Sequence, residues 1–120
     1  MEPIRTALVG IAGIGGSHRK KLHQSEMFDL VCANEPYTDR HKEAAEEVRS
    51  WGVEIYPDFW EMLDARDDLE LVVIAAPHHW HATYSISALE HGLHVFVEKP
   101  ITVTVQEALA LLDAQRSAGK

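Results

Sequence analysis

Four glycines, Gly10, Gly13, Gly15 and Gly16, directly follow the apolar run Ile4–Val9. A strand-to-helix turn needs residues free of Cβ constraints. The helix it opens presents N–H groups and the positive end of its dipole, a site for a phosphate. Read as Gly-x-Gly-x-x-Gly, the segment is Gly10-Ile11-Ala12-Gly13-Ile14-Gly15, with Ala12 in place of the second glycine. That glycine normally lets the backbone approach a pyrophosphate, so Gly13 is expected to take over the approach one residue on. A tight turn with no ligand would use the same glycines.

Glu35 lies twenty residues after Gly15, at the end of the next apolar run. A carboxylate there accepts both hydroxyls of an adenosine ribose and repels a 2′-phosphate, which favours NAD over NADP. Arg40 and Lys42 stand close enough in sequence to weaken that preference. A solvated loop carboxylate is the alternative reading of Glu35.

Two more segments sit where apolar runs end: Ala75-Ala76-Pro77-His78-His79-Trp80-His81 and Glu98-Lys99-Pro100. Pro77 and Pro100 donate no ladder hydrogen bond and end their strands. Lys99 is the expected catalytic group. An ammonium beside a carbinol oxygen stabilises a developing alkoxide, or relays its proton, while hydride leaves to a nicotinamide. Glu98 would orient that ammonium or tune it. A surface ion pair is the alternative for the tripeptide alone. His78 and His81 are expected to line the cofactor edge or to cap the following helix, and His18 is either a ligand contact or an exposed polar residue. The spacing of His78, His79 and His81 gives no helical i, i+4 pair and no cysteine or carboxylate stands near them, so no metal site is expected. The expected cofactor contacts are Gly10, Ala12, Gly13, Ile14, Gly15 and Glu35, then Ala76, Pro77, His78 and His81, then Glu98 and Lys99.

These residues must be carried by strands and helices. Ile4–Val9, Leu30–Ala33, Val53–Tyr56, Leu71–Ala76 and Leu93–Val97 read as strands, the fourth continuously apolar as a strand covered on both faces should be. Helices are expected over Ile14–Gln24, from a Thr38 cap to about Trp51 with Gly52 as the stop, from Asp58 with Glu61 in capping-box spacing to Leu63, and over His81–His91 with Ala82, Ile86 and Leu89 on one face. Thr104 and Glu107 form a second box, followed by a stripe of Ala108, Leu111 and Leu112. Trp51, Phe59, Trp60 and Phe96 read as core or helix-packing residues. Five β-α units in succession predict an α/β, Rossmann-type doubly wound parallel sheet of about five strands. The last helix reaches almost to Lys120, so either the sheet stops at five or the chain continues within a larger protein.

Composition sets the outer bounds. The chain has 120 residues, 46% hydrophobic and 25% charged, with 11 Lys and Arg against 19 Asp and Glu for a net charge of −8. One domain over residues 1–120 is expected. No apolar run approaches the ~18–20 residues of a membrane span, and the start lacks a signal-peptide pattern. The acidic balance argues against nucleic-acid or anionic-membrane partners. The single cysteine, Cys32, suits a reducing compartment, and a cytoplasmic location is expected.

Four segments together resemble the N-terminal half of the glucose–fructose oxidoreductase / inositol dehydrogenase / MocA (Gfo/Idh/MocA) family: Val9-Gly10 through Gly15 with His18, the pair Glu35-Pro36, Ala76-Pro77-His78-His79-Trp80-His81, and Val97-Glu98-Lys99-Pro100. The family's usual third motif is Thr-Pro-Asn-x-x-His, so Ala76 and His78 depart from it while Pro77 and His81 keep it. The acidic residue is more often Asp, and Ala12 departs from the glycine pattern. The resemblance implies a nicotinamide-binding domain whose glycine turn holds the pyrophosphate and whose lysine lies beside nicotinamide and substrate. It also implies a second, mostly antiparallel substrate domain, absent from this chain, and a full-length protein that oxidises or reduces a sugar, polyol or related carbonyl compound. A free-standing nucleotide-binding module and a degenerate, non-catalytic homologue are the rival readings. An uncovered sheet edge further predicts self-association, as a homodimer.

Overall fold

The computed structural model describes residues 2–120. Five strands, β1 (Ile4–Val9), β2 (Phe28–Asn34), β3 (Glu54–Tyr56), β4 (Leu71–Ile74) and β5 (His94–Val97), form one sheet in the order β3-β2-β1-β4-β5. Every pairing is parallel. Helices α1 (Ile14–Gln24), α2 (Lys42–Ser50), α3 (Phe59–Ala65), α4 (His81–Glu90) and α5 (Val105–Ala118) occur between and after the strands, and a short 3₁₀ turn over His78–Trp80 precedes α4. The first three strands step outward from β1 and the last two lie on its other side, so the winding reverses between β1 and β4. Ligands bind at such a reversal, outside the carboxyl ends of the strands.

Strand alternation divides the core into two layers. Ala7 and Val9 of β1, with Val72 and Ile74 of β4, pack under Phe59, Met62, Tyr84 and Ala88 of α3 and α4. Leu8 faces the other way, onto Leu22 of α1 and Ala45 and Val48 of α2. A fully buried aliphatic side chain contributes about 1.5–3 kcal/mol, and both layers are built from such residues. This is why the two central strands, which carry the site at their ends, are the best-anchored part of the sheet.

Several helix ends follow the local signals. The Asp58 carboxylate accepts from the Trp60 and Glu61 N–H groups, and Thr104 with Glu107 forms a reciprocal capping box. The start of α2 does not follow them. Thr38 is no cap: the Tyr37 carbonyl accepts from the Arg40 and His41 N–H groups, closing a separate turn, and α2 begins only at Lys42. Phe96 is not a core residue either but is 52% exposed on the edge strand β5. Trp60 packs α3 against α4 while keeping an exposed face, and Trp51, half-buried, stacks on His23. Leu112, expected on the packed stripe of α5, is exposed, and α5 has no fully buried residue.

Candidate dinucleotide site

The glycine turn is shaped by how closely backbone meets backbone. Gly10 has φ +88°, and a Cβ there would lie 2.6 Å from the Ala75 carbonyl oxygen of the neighbouring strand end. A Cβ on Gly15 would lie 2.1 Å from the Gly10 carbonyl oxygen. Both positions exclude any side chain, and together they draw α1 down onto the end of β1. Gly13 has open space around it but φ +61°, a conformation L side chains rarely adopt. Ala12 has an ordinary backbone, since no non-glycine residue among those described has positive φ. The special conformation has therefore moved from the usual second-glycine position to Gly13. Gly13 caps α1 and has no side chain to bond the first-turn N–H groups, where a phosphate would be held.

Glu35 lies just beyond β2 and is only 6% exposed. One carboxylate oxygen accepts from the Ile11 N–H at 3.3 Å and the other from the Tyr37 N–H at 3.1 Å. The carboxylate thus fastens the glycine turn to the loop after β2. Asn34, one residue earlier, donates its side-chain amide to the carbonyls of Tyr56 and Pro57, tying in the end of β3. Between these ends and the end of β4 lies a cleft of about 680 Å³, bordered by Gly13, Ile14, Glu35, Pro77 and His78 and walled on one side by aromatic rings.

Sequence reasoning missed that wall. Tyr84 of α4 stacks on Phe59 at 4.1 Å and on Trp80 at 5.0 Å, and Trp60 meets Tyr84 edge-on at 5.5 Å. The Trp60 indole N–H donates to the Ser87 hydroxyl. Burial pushes the Tyr84 phenol pKa up. The only signal was the density of aromatics around Pro57 and Pro77, residues that α3 and α4 bring together.

The three histidines after β4 separate. His78 and His79 are both exposed and both line the cleft. His81 is 1% exposed. Its Nε2 lies 2.7 Å from the Ala76 carbonyl oxygen and its Nδ1 2.7 Å from the Pro100 carbonyl oxygen. Carbonyl oxygens only accept and a neutral imidazole carries a single N–H, so the ring donates to one of these carbonyls and lies in close contact with the other. His81 therefore joins the end of β4 to the turn after β5 rather than facing the cleft. Among the described residues no three His, Cys, Asp or Glu side chains are grouped as metal ligands.

That second turn, Glu98-Lys99-Pro100, stands at the same edge of the sheet, one strand beyond β4. The Glu98 N–H still donates to the Ile74 carbonyl, so the ladder runs one residue past β5. Glu98 Oε1 accepts from His18 Nε2 of α1 at 2.5 Å. This hydrogen bond holds the Glu98 carboxyl below the usual carboxylate range. Lys99 is exposed, and its ammonium makes none of the ion pairs found among the described residues. The structure thus gathers Gly10, Ala12, Gly13, Ile14, Glu35, Ala76, Pro77 and His78 around one cleft. Gly15 packs beneath it, and Glu98 and Lys99 form a separate feature beside it.

A doubly wound sheet with a glycine turn, a glycine-capped helix N-terminus and a cleft at the winding reversal defines a dinucleotide-binding domain. The model of the Gfo/Idh/MocA oxidoreductase family, NAD-binding Rossmann fold, matches residues 4–120. The chain belongs to this NAD-binding family. Among relatives, the chain is 30% identical over its whole length to an alpha-N-acetylgalactosaminidase of Shewanella oneidensis, covering 28% of that protein. It is 29% identical over 98% of its length to inositol 2-dehydrogenase 4 of Saccharopolyspora erythraea, covering 34% of it. In structure it is similar to the WlbA dehydrogenase of Chromobacterium violaceum, solved in complex with NADH and UDP-GlcNAcA, with a TM-score of 0.88 and 29% identity over all of this chain and 34% of that one. The chain thus spans about a third of the length of these relatives.

Proposed function

We propose that this chain is the cofactor-binding part of an oxidoreductase that transfers hydride between nicotinamide and a CH–OH carbon of a sugar, polyol or related compound. The observation that carries the reading is the pairing of the glycine cradle with the exposed Lys99 ammonium on the same sheet edge. The names of the relatives, an inositol 2-dehydrogenase and an alpha-N-acetylgalactosaminidase, support a polyol or sugar as the substrate class.

In this reading the N-terminus of α1, from Gly13 and Ile14, holds the pyrophosphate. Gly10 and Gly15 keep the space that a Cβ would fill. Glu35 faces the adenosine ribose with the lone pairs its two backbone contacts leave free, and its charge favours NAD over NADP. Ala76, Pro77 and His78 border the dinucleotide from the end of β4. When bound, the nicotinamide supplies the hydride acceptor or donor. Lys99 then stabilises charge on the substrate oxygen, or exchanges its proton, in concert with hydride transfer. A second domain closes over this edge, orients the substrate and excludes water, a contribution of about 7–11 kcal/mol to lowering the barrier. The location is the cytoplasm, and the described residues include no helix long and apolar enough to cross a membrane.

The test is NADH production from a panel of polyols and sugars. Three proteins are compared: the 120-residue chain, a full-length parent, and that parent carrying Lys99→Ala. We expect turnover from the parent only, with kcat lowered about 10²–10⁴-fold by the substitution and NAD affinity changed by no more than a few-fold. Robust turnover by the 120-residue chain would remove the need for a second domain. A parent that binds NAD but turns over no member of the panel would favour a nucleotide-binding module without catalysis.

A further inference from the structure

The turn that carries Lys99 sets opposite charges side by side, Glu98 then Lys99. Adjacent, solvent-accessible charges of opposite sign attract, and a carboxylate free to move would lie against the ammonium and neutralise it. The structure shows a different pairing. His18, two-thirds of the chain away in sequence, reaches from the second turn of α1 and donates to the Glu98 carboxylate. Its ring is held in place by the edge of Phe96, whose centroid is 5.7 Å away. Phe96 and Glu98 are two residues apart on the β5 ladder, so both side chains leave the sheet on the α1 side. His18 contacts both. The backbone beyond is fixed independently, because buried His81 binds the Pro100 carbonyl. With Pro100 anchored from α4 and the Glu98 side chain drawn toward α1, Lys99 joins none of the ion pairs found among the described residues and acts on the Glu98 carboxylate only at longer range.

We infer that His18 is a positioning residue for Lys99: by holding the Glu98 carboxylate on the α1 side, it prevents the adjacent Glu98–Lys99 pair from closing and leaves the ammonium free to face substrate. The role of Lys99 itself rests on the reading under Proposed function, but the charge separation is a property of the free chain. His18 acts through Glu98 and does not touch the reacting atoms. The device has a simple electrostatic logic. A catalytic ammonium that is already paired must break that pair before it can stabilise an alkoxide, whereas one kept unpaired by a competing partner needs no such step.

Competitive labelling with trace acetic anhydride, read lysine by lysine by mass spectrometry, tests this in the 120-residue chain. Lys42 and Lys120 serve as internal references. In His18→Leu the freed carboxylate pairs with the Lys99 ammonium and favours its charged, unreactive form. Lys99 acetylation near pH 9 then falls about 3- to 10-fold relative to the references. His18→Gln, whose amide N–H still donates to Glu98, keeps the rate within about two-fold of the unaltered chain. The double variant His18→Leu/Glu98→Gln, with no carboxylate left to pair, recovers the original rate, which a loss of structure at α1 would not do. An unchanged Lys99 rate in His18→Leu overturns the inference, and so does a lowered rate that the double variant fails to restore. NAD titration of the same proteins is scored separately. Absence of binding to the unaltered chain would overturn the cofactor placement and leave the labelling result intact.

Discussion

The two turns at the carboxyl edge of the sheet solve different problems with different materials. The turn after β1 is defined by backbone. Gly10 and Gly15 meet main-chain atoms at distances no Cβ tolerates, and Gly13 supplies a positive φ. It sits between strands whose Leu8, Val9, Val72 and Ile74 are fully or almost fully buried. The turn after β5 is defined by side chains. Its shape depends on His18 and His81, contributed by two helices on opposite layers, and it adjoins α5, in which no residue is fully buried. A dinucleotide pyrophosphate is the same in every reaction that uses it, and a rigid backbone cradle suits it. A catalytic ammonium needs a position and a charge state, and both can be set by partners that vary independently. The comparison teaches that the cofactor half of the site is intolerant of substitution at the backbone, while the reactive half is tunable through contacts.

The largest expected effect follows from that intolerance. Gly15→Ala forces a Cβ into the Gly10 carbonyl, and the helix must shift away from β1. We expect a loss of about 3 kcal/mol in urea-unfolding free energy, at the upper end of overpacking costs, together with loss of NAD binding. A stability change under about 1 kcal/mol would show that the cradle yields easily and would blunt the contrast between the two turns.

Glu35→Ser sharpens the comparison on the cofactor side. The carboxylate has two backbone contacts as well as its proposed ribose contact. Losing a charged hydrogen-bond partner of about 1.5 kcal/mol should cut the preference for NAD over NADP about ten-fold. Equal affinity for the two cofactors in the unaltered chain would show that Glu35 serves only the backbone.

Cys32 tests the rigid half through pH. Its burial pushes the thiol up to about 12, the nearby Arg66 guanidinium opposing the shift only in part. In the unfolded chain the thiol ionises near 9 or a little below. The unfolded state therefore loses its proton first, and the stabilisation from the neutral buried thiol is complete below about pH 8.5 and declines as pH rises toward 12. Unfolding free energies measured from pH 8 to 11 should fall, and Cys32→Ala should reduce the slope. Equal slopes in the two proteins would place the alkaline sensitivity elsewhere.

The smallest effect concerns the less buried flank. β5 is an edge strand, and Phe96, Ile101, Val105 and Leu109 are more than half exposed near it. Edges of this kind pair with other chains, so the 120-residue chain should associate weakly as a dimer at tens of micromolar, the range of interfaces worth ~6–7 kcal/mol. Sedimentation equilibrium showing a monomer throughout that range would remove this expectation.

Local chemistry wrote much of this protein directly into the sequence. Ile4–Val9 and Ile14–Gln24 have the bounds that apolar pattern and glycine turn predict, and Asp58 and Thr104 cap their helices as their spacing indicates. The parallel order follows from alternating strands and helices. These features depend on residues within a few positions of one another, where periodicity, capping and the need for positive φ are strong. Thr38 shows how such signals fail locally: the Tyr37 carbonyl and the Glu35 carboxylate together favoured a separate turn. Tertiary structure alone decided the rest of the site. His18 meets Glu98 across eighty residues, His81 meets Pro100 across nineteen, and the Glu35 carboxylate meets Ile11 across twenty-four. A histidine or glutamate in sequence carries donors and acceptors but no direction. Only the packed sheet, by bringing the ends of β1, β2, β4 and β5 to one edge, determined which partner each would find.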